Sequence, residues 1–204
     1  MIIIGLTGAT GAGKGYFGKV AREKYGLVHI DTDKTARLVV EPGRPCLEEI
    51  RAYFGDSVIC EDGSLDRKAL GSIVFTNSEK LQKLNELTHH YITDEVNAII
   101  AESKKNGEKA VIIDAPLLFE SGEDKLCDVT VGVVADTDVR KARIMCRDRI
   151  SEEMADNRIN SGKNNEFFCK RCHHIIENNG DEVLFSEKIC RLIEGLLKAE
   201  MEKK

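Results

Sequence analysis

Ile2-Ile3-Ile4-Gly5-Leu6-Thr7 runs directly into Gly8-Ala9-Thr10-Gly11-Ala12-Gly13-Lys14-Gly15, and this stretch decides how the rest of the chain is read. The first six residues are apolar and largely β-branched, as a buried strand requires. Seven of the next eight positions fit the phosphate-binding pattern GxxxxGK[ST], and a helical pattern follows. Glycines in such a loop let successive backbone N–H groups turn toward one centre, at the N-terminus of a helix whose dipole favours anions. Lys14 would reach the outer phosphates, and a Ser or Thr hydroxyl in the eighth position would bind Mg²⁺. Gly15 has no hydroxyl, so the loop reads as a phosphate cradle lacking one common metal ligand.

The composition sets bounds. With 204 residues, 42% apolar and 32% charged, the chain suits one soluble globular core with small inserted subdomains. A net charge of −5 gives no general ground for nucleic-acid or membrane binding. No apolar run approaches the roughly 18 residues of a membrane span. Ile2 to Leu6 is short for a secretory leader and lacks a basic start, so it reads as the first strand and a cytoplasmic protein is expected. The seven cysteines are odd in number and scattered, which favours reduced thiols. A monomer or weak homo-oligomer is expected.

Along the chain, the helix after the loop runs through Lys24 and ends at Gly26. Leu27 to Ile30 follows as a second strand, ending in Asp31-Thr32-Asp33. Function in open parallel sheets lies at the carboxyl ends of the strands. Of these residues one is expected to cap the helix that begins near Lys34, and one carboxylate to be catalytic. Pro42-Gly43 is a turn, Pro45 to Phe54 a helix closed by Gly55, and Asp62-Gly63-Ser64-Leu65 another turn. A helix from Asp66 to Phe75 precedes a long amphipathic one from Ser78 to Lys105, with Ser78 as cap and a break near His89-His90. This helical insertion is a reasonable place for an acceptor pocket. Ala110 to Asp114 is the third strand, and Asp114 is placed at its end like a carboxylate that acts on Mg²⁺ through water. Asp128 to Ala135 is the fourth strand, and Asp136-Thr137-Asp138 caps a helix through Arg149. Arg140, Arg143 and Arg147 share one helical face. Arg147 suits a lid that closes over phosphates, whereas Arg140 suits a solvated ion-paired face. His174 to Glu177 is the last strand, Asn178-Asn179-Gly180 a turn, and Asp181 to Glu202 the closing helix.

Cys169-Lys170-Arg171-Cys172-His173-His174 contains the C-x-x-C-H pattern of haem attachment and residue types that bind zinc. Haem attachment requires export, and structural zinc usually needs four ligands in spaced pairs. Chance is the leading reading of this run.

In order and spacing, these features resemble the dephospho-CoA kinase family along nearly the whole chain. The stretches that carry the resemblance are Leu6-Thr7-Gly8 into the loop, Asp31-Thr32-Asp33, Ala36-Arg37-Leu38-Val39-Val40-Glu41-Pro42-Gly43 and Asp62-Gly63-Ser64-Leu65-Asp66-Arg67. To these are added Leu84-Asn85-Glu86-Leu87-Thr88-His89, Asp114-Ala115-Pro116-Leu117-Leu118-Phe119-Glu120 and Ile176-Glu177-Asn178-Asn179-Gly180. The resemblance implies an α/β fold: a P-loop NTPase-type parallel sheet flanked by helices. It implies a single domain over 1–204, with a helical CoA-binding subdomain at about 34–105 and a lid at about 139–172. It also implies ATP- and Mg²⁺-dependent phosphorylation of the 3′-hydroxyl of dephospho-CoA. By motif, Gly8, Gly11, Ala12, Gly13, Lys14, Gly15 and Tyr16 hold ATP phosphates, with Asn178 near adenine. Asp33 is the base, Arg147 a lid cation, and Arg37, His89, Pro116, Leu117, Leu118 and Glu120 lie on the acceptor side. Asp33 and Asp114 are the candidate carboxylates for Mg²⁺.

Five departures from the family pattern stand out. Gly15 replaces Ser or Thr, and Tyr16 replaces a small hydroxyl residue. His90 replaces the Pro that usually follows the histidine, Gly162 a usual Gln, and Cys172-His173 a usual Ala-Asp. All but His90 lie on the nucleotide and lid side. Two other readings follow from them: a non-catalytic nucleotide- or CoA-binding protein, and a kinase for another small alcohol.

Overall fold

A computed structural model describes residues 1–203. The chain divides into two compact units, one formed by residues 1–30 with 103 onward and the other by residues 31–102.

The first unit is built on a five-stranded sheet. Strand β1 (Ile2–Gly8) is buried along its length, as its unbroken apolar run requires. It pairs in parallel with β3 (Ala110–Asp114) on one side and β4 (Val129–Val134) on the other. β4 pairs in parallel with β5 (His174–Glu177), and β2 (Val28–Asp31) lies beyond β3, giving the order β2-β3-β1-β4-β5. The chain therefore lays down one side of the sheet first and then the other, so β1 is the strand at which the topology switches. Ligands of open α/β sheets bind outside the carboxyl ends of the strands at such a point.

Helix α1 (Lys14–Tyr25) packs on this sheet through Phe17, Val20 and Ala21, and Gly26 ends it in the left-handed conformation. The closing helix α9 (Glu182–Glu202) adds Phe185, Ile189 and Ile193 to the same core, and Asp181 caps it by accepting from the Leu184 N–H. Between β4 and β5 lie α6 (Thr137–Asp148), α7 (Glu152–Ser161) and α8 (Asn165–Arg171). Ile144, Ala155 and Ile159 form a small core joining α6 and α7.

The second unit is helical. It contains α2 (Thr32–Leu38), α3 (Pro45–Phe54), α4 (Arg67–Val74) and most of α5 (Ser78–Lys105). Val39, Val40, Cys46, Ile50, Val58, Leu70 and Val74 form its core. Asp66 caps α4 by accepting from the N–H groups of Lys68 and Ala69.

Two expectations about α5 and one about α6 are corrected. Asn77, not Ser78, caps α5, its Oδ1 accepting from the Lys80 N–H at 3.0 Å. The helix runs through His89 and His90 without a break. Neither residue removes a backbone donor as proline would, so the ladder continues. Asp136 stands at the N-cap of α6 but makes no side-chain cap bond. Its backbone N–H donates instead to Asn179 Oδ1 at 2.7 Å.

Candidate active site

The loop after β1 has the geometry its glycines permit. Gly8, Gly11 and Gly13 have φ of 146°, 80° and 112°, a region closed to most side chains. Each is also sterically required. A Cβ on Gly8 would lie 2.1 Å from the Val133 carbonyl oxygen, and one on Gly13 would lie 2.5 Å from Asn178 Nδ2. Lys14 opens α1, and its Nζ donates to the Gly8 carbonyl at 3.0 Å, so the cation already lies across the loop. Gly15 differs: it is exposed in the first turn of α1, and a Cβ there meets nothing within 4 Å. Tyr16 is half-buried, its ring 5.7 Å from that of Phe185.

The loop is held from beneath by residues far away in sequence. Asn178, 6% exposed, donates from Nδ2 to the Ala12 carbonyl at 2.7 Å. Arg143 donates to both the backbone oxygen and Oδ1 of Asn178, at 3.0 and 3.2 Å. Both polar atoms of the Asn178 amide are thus engaged in holding the loop. Arg140 is not on a solvated face, as the sequence led us to expect. It is 3% exposed, and its guanidinium donates to the carbonyls of Ala135 and Thr10 and to Thr137 Oγ1. Burial lowers its pKa from the usual arginine value.

Asp114 ends β3 in register with Leu6, just before the loop. His29 on β2 approaches it, with Nε2 3.3 Å from Asp114 Oδ2, and Arg22 Nη1 lies 2.8 Å from His29 Nδ1. The segment after β3 divides its roles. Pro116 and Leu117 are exposed, whereas Leu118 is fully buried against Gly5. Leu118 therefore fills the core and does not present its side chain to a ligand. Glu120 lies 3.7 Å from Lys163, and the Arg171 guanidinium stands over the rings of Phe167 and Phe119 at 4.7 and 5.6 Å. These contacts tie the segment to α8 and to the loop that precedes it.

At the end of α6, Asp148 receives two bonds from Arg147, at 2.8 and 2.9 Å, and a third from Arg158. The Arg147 hydrogen bonds hold the Asp148 carboxyl below the usual carboxylate range. In the helical unit, Asp31 caps α2 by accepting from the Lys34 N–H, which leaves Asp33 as the other carboxylate of the pair. Asp33 and Arg37 are both exposed and lie one turn apart on α2, on one face. His89 is exposed on α5. An apolar cavity of about 250 Å³ opens in the same unit, lined by Ala36, Val40, Ile50, Leu70, Val74 and Phe75.

The family model described as dephospho-CoA kinase matches residues 2–183. The chain belongs to the dephospho-CoA kinase family. Over 196 residues it is 40% identical to the dephospho-CoA kinase of Fusobacterium nucleatum, covering 95% of this chain and 99% of that one. It is 39% identical over 193 residues to the dephospho-CoA kinase of Saccharomyces cerevisiae, covering 93% of this chain and 80% of the relative. The solved dephospho-CoA kinase from Campylobacter jejuni superposes with a TM-score of 0.73 at 27% identity, covering 97% of this chain and 98% of that one.

Membership of the dephospho-CoA kinase family makes the chain a phosphotransferase that uses ATP to convert dephospho-CoA to CoA. Among the described residues, no helix is long and apolar enough to cross a membrane. Within the Cys169–His174 run, His173 Nδ1 accepts from the Thr130 N–H at 3.0 Å, near the start of β4. Among the described residues, no group of three or more His, Cys, Asp or Glu is arranged to hold a metal. The sequence reading missed Arg140 as a buried residue, Asn178 as a brace, and His29. The Asn178 motif was visible, but its partner at Ala12 lies 166 residues away and only the fold brings them together.

Proposed function

We propose that this dephospho-CoA kinase family member transfers the γ-phosphoryl group of ATP to the 3′-hydroxyl of dephospho-CoA through the following residues. The loop from Gly8 to Tyr16 cradles the phosphates with Lys14, and the N–H groups of Ala9, Ala12 and Tyr16 donate to the carbonyls of Val133, Ala9 and Gly13 to fix its shape. Arg147, hydrogen-bonded to Asp148, neutralises charge that develops in transfer. Asp33 accepts the proton of the attacking hydroxyl, and Arg37 and His89 bind the acceptor. Pro116, Leu117 and Glu120 contribute from the segment after β3. The apolar cavity of the helical unit suits the pantetheine arm. Phosphoryl transfer needs positioning and charge stabilisation more than covalent chemistry, and this residue set supplies both.

The residues fit Mg²⁺. Space is open beside Gly15 where a hydroxyl would normally stand, and Asp114 offers hard oxygen donors at the carboxyl end of β3. Mg²⁺, when bound, neutralises charge between the β- and γ-phosphates. Asp114 would hold it through water, since Mg²⁺ readily keeps several waters, and Asp33 is the other candidate carboxylate. A cytoplasmic monomer or weak homo-oligomer is the setting this reading favours.

The observation that carries the proposal is the left-handed glycine cradle closed by Lys14 at the switch strand of the sheet. Its test is the conversion of dephospho-CoA to CoA with ATP and Mg²⁺, in parallel with Asp33→Asn. Loss of turnover in the variant with ATP binding retained supports the assigned base, and unchanged turnover removes Asp33 from that role. Gly15 favours a second reading, a binding protein with weakened catalysis. Binding of both substrates without turnover across a wide Mg²⁺ range would establish it.

A further inference from the structure

We propose that Arg22 and His29 form a positioning brace for Asp114, fixing which oxygen of that carboxylate faces the water shell of Mg²⁺. The inference rests on the reading of Asp114 as a magnesium-side carboxylate.

The geometry assigns the proton. Arg22 can only donate, so His29 Nδ1, 2.8 Å from Arg22 Nη1, accepts. The proton of the neutral ring then sits on Nε2, which donates to Asp114 Oδ2 at 3.3 Å. The imidazole is 6% exposed and the Asp114 side chain 12%, so the contact is shielded from water. A carboxylate oxygen that accepts from a fixed ring cannot rotate freely, and its other lone pairs are thereby directed. Groups that orient a metal-side carboxylate in this way tune affinity without touching the metal.

Helix α1 is cut to fit this contact. A Cβ on Gly18 would lie 2.4 Å from His29 Nε2, so only glycine leaves room for the ring. Arg22 stands one helical turn later on the same face and supplies the cation that selects the tautomer. α1 thus carries Lys14 at its start and the brace for Asp114 along its side. One rigid element sets both the phosphate cation and the carboxylate.

The test has three arms. Ring ¹⁵N NMR of the intact protein reads the His29 tautomer, with the proton expected on Nε2. Mn²⁺ binding to the complex with a non-hydrolysable ATP analogue, followed by electron paramagnetic resonance, reads metal affinity apart from turnover. His29→Leu should weaken it about 10-fold. His29→Gln, whose amide nitrogen replaces Nε2 as donor, should restore most of the loss. A proton on Nδ1, or equal affinity in the parent and His29→Leu proteins, overturns the brace. Equal weakening in the Leu and Gln variants overturns it in favour of packing alone. Asp114→Asn separates the two claims: if it leaves Mn²⁺ affinity unchanged, the reading of Asp114 itself fails. If His29→Leu does not fold, the tautomer and the Gln variant still decide.

Discussion

The side-chain amide of Asn178 donates to the carbonyl oxygen of Ala12 at 2.7 Å, joining the end of β5 to the phosphate loop. The bond is buried, so its loss is not made good by water. Asn178→Ala should cost about 1–3 kcal/mol of stability, the usual penalty for orphaning a buried acceptor. It should also weaken ATP binding, because Arg143 loses the Oδ1 atom through which it supports the loop. Denaturant unfolding and calorimetry with ATP check both effects. ATP affinity equal to that of the parent would show that the loop holds its shape without the brace.

Gly15→Ser tests the missing hydroxyl. The added Cβ meets nothing within 4 Å, so the substitution is accommodated. Serine is the better helix former by about 0.5 kcal/mol, and the variant should be no less stable than the parent. The Mg²⁺ concentration for half-maximal activity should fall. A magnesium titration reads the change, and an unchanged requirement would show that water already serves in place of the hydroxyl.

Gly18→Ala drives a methyl group into the His29 ring. Overpacking at such a site typically costs about 1–3 kcal/mol. Thermal unfolding measures that loss, and the His29 ring resonances should move with it. A variant with parental stability and unmoved resonances would contradict the close packing of α1 on β2.

Shielded thiols should make stability fall at alkaline pH. Burial pushes Cys46 and Cys172 from 9.0 up to about 11, and Cys127 up to about 12. The unfolded chain loses these protons as pH passes 9, while the folded chain keeps them for another two to three units. Their contribution is therefore complete below pH 9 and is lost as pH rises toward 11 to 12. Unfolding midpoints should decline over that window. At pH 8, alkylation should reach the exposed Cys60, Cys146 and Cys169 well before Cys46.

The sequence made particular features legible for local reasons. The unbroken apolar run of β1 and the glycines after it dictate a strand and a tight loop whatever the partners. Asp66 and Asp181 each precede a helical pattern and act as its cap, as short-range rules require. Arg140 could not be read in this way. Its i, i+3, i+7 relation to Arg143 and Arg147 is that of a surface stripe, and only tertiary packing turns it onto the loop carbonyls. His29 was equally hidden, since the vacancy that admits its ring is the missing Cβ of Gly18 on another element. Leu117 and Leu118 are chemically identical neighbours, yet the turn after β3 sends one outward and the other into the core.

The central claim is transfer to the 3′-hydroxyl of dephospho-CoA. Purified protein incubated with ATP, Mg²⁺ and dephospho-CoA can be followed by ³¹P NMR for a new 3′-phosphomonoester. The account predicts CoA and ADP in equal amounts from the parent protein, a lower Mg²⁺ requirement for Gly15→Ser, and no product from Asp33→Asn. No CoA from either the parent or Gly15→Ser, at any Mg²⁺ concentration, would contradict it.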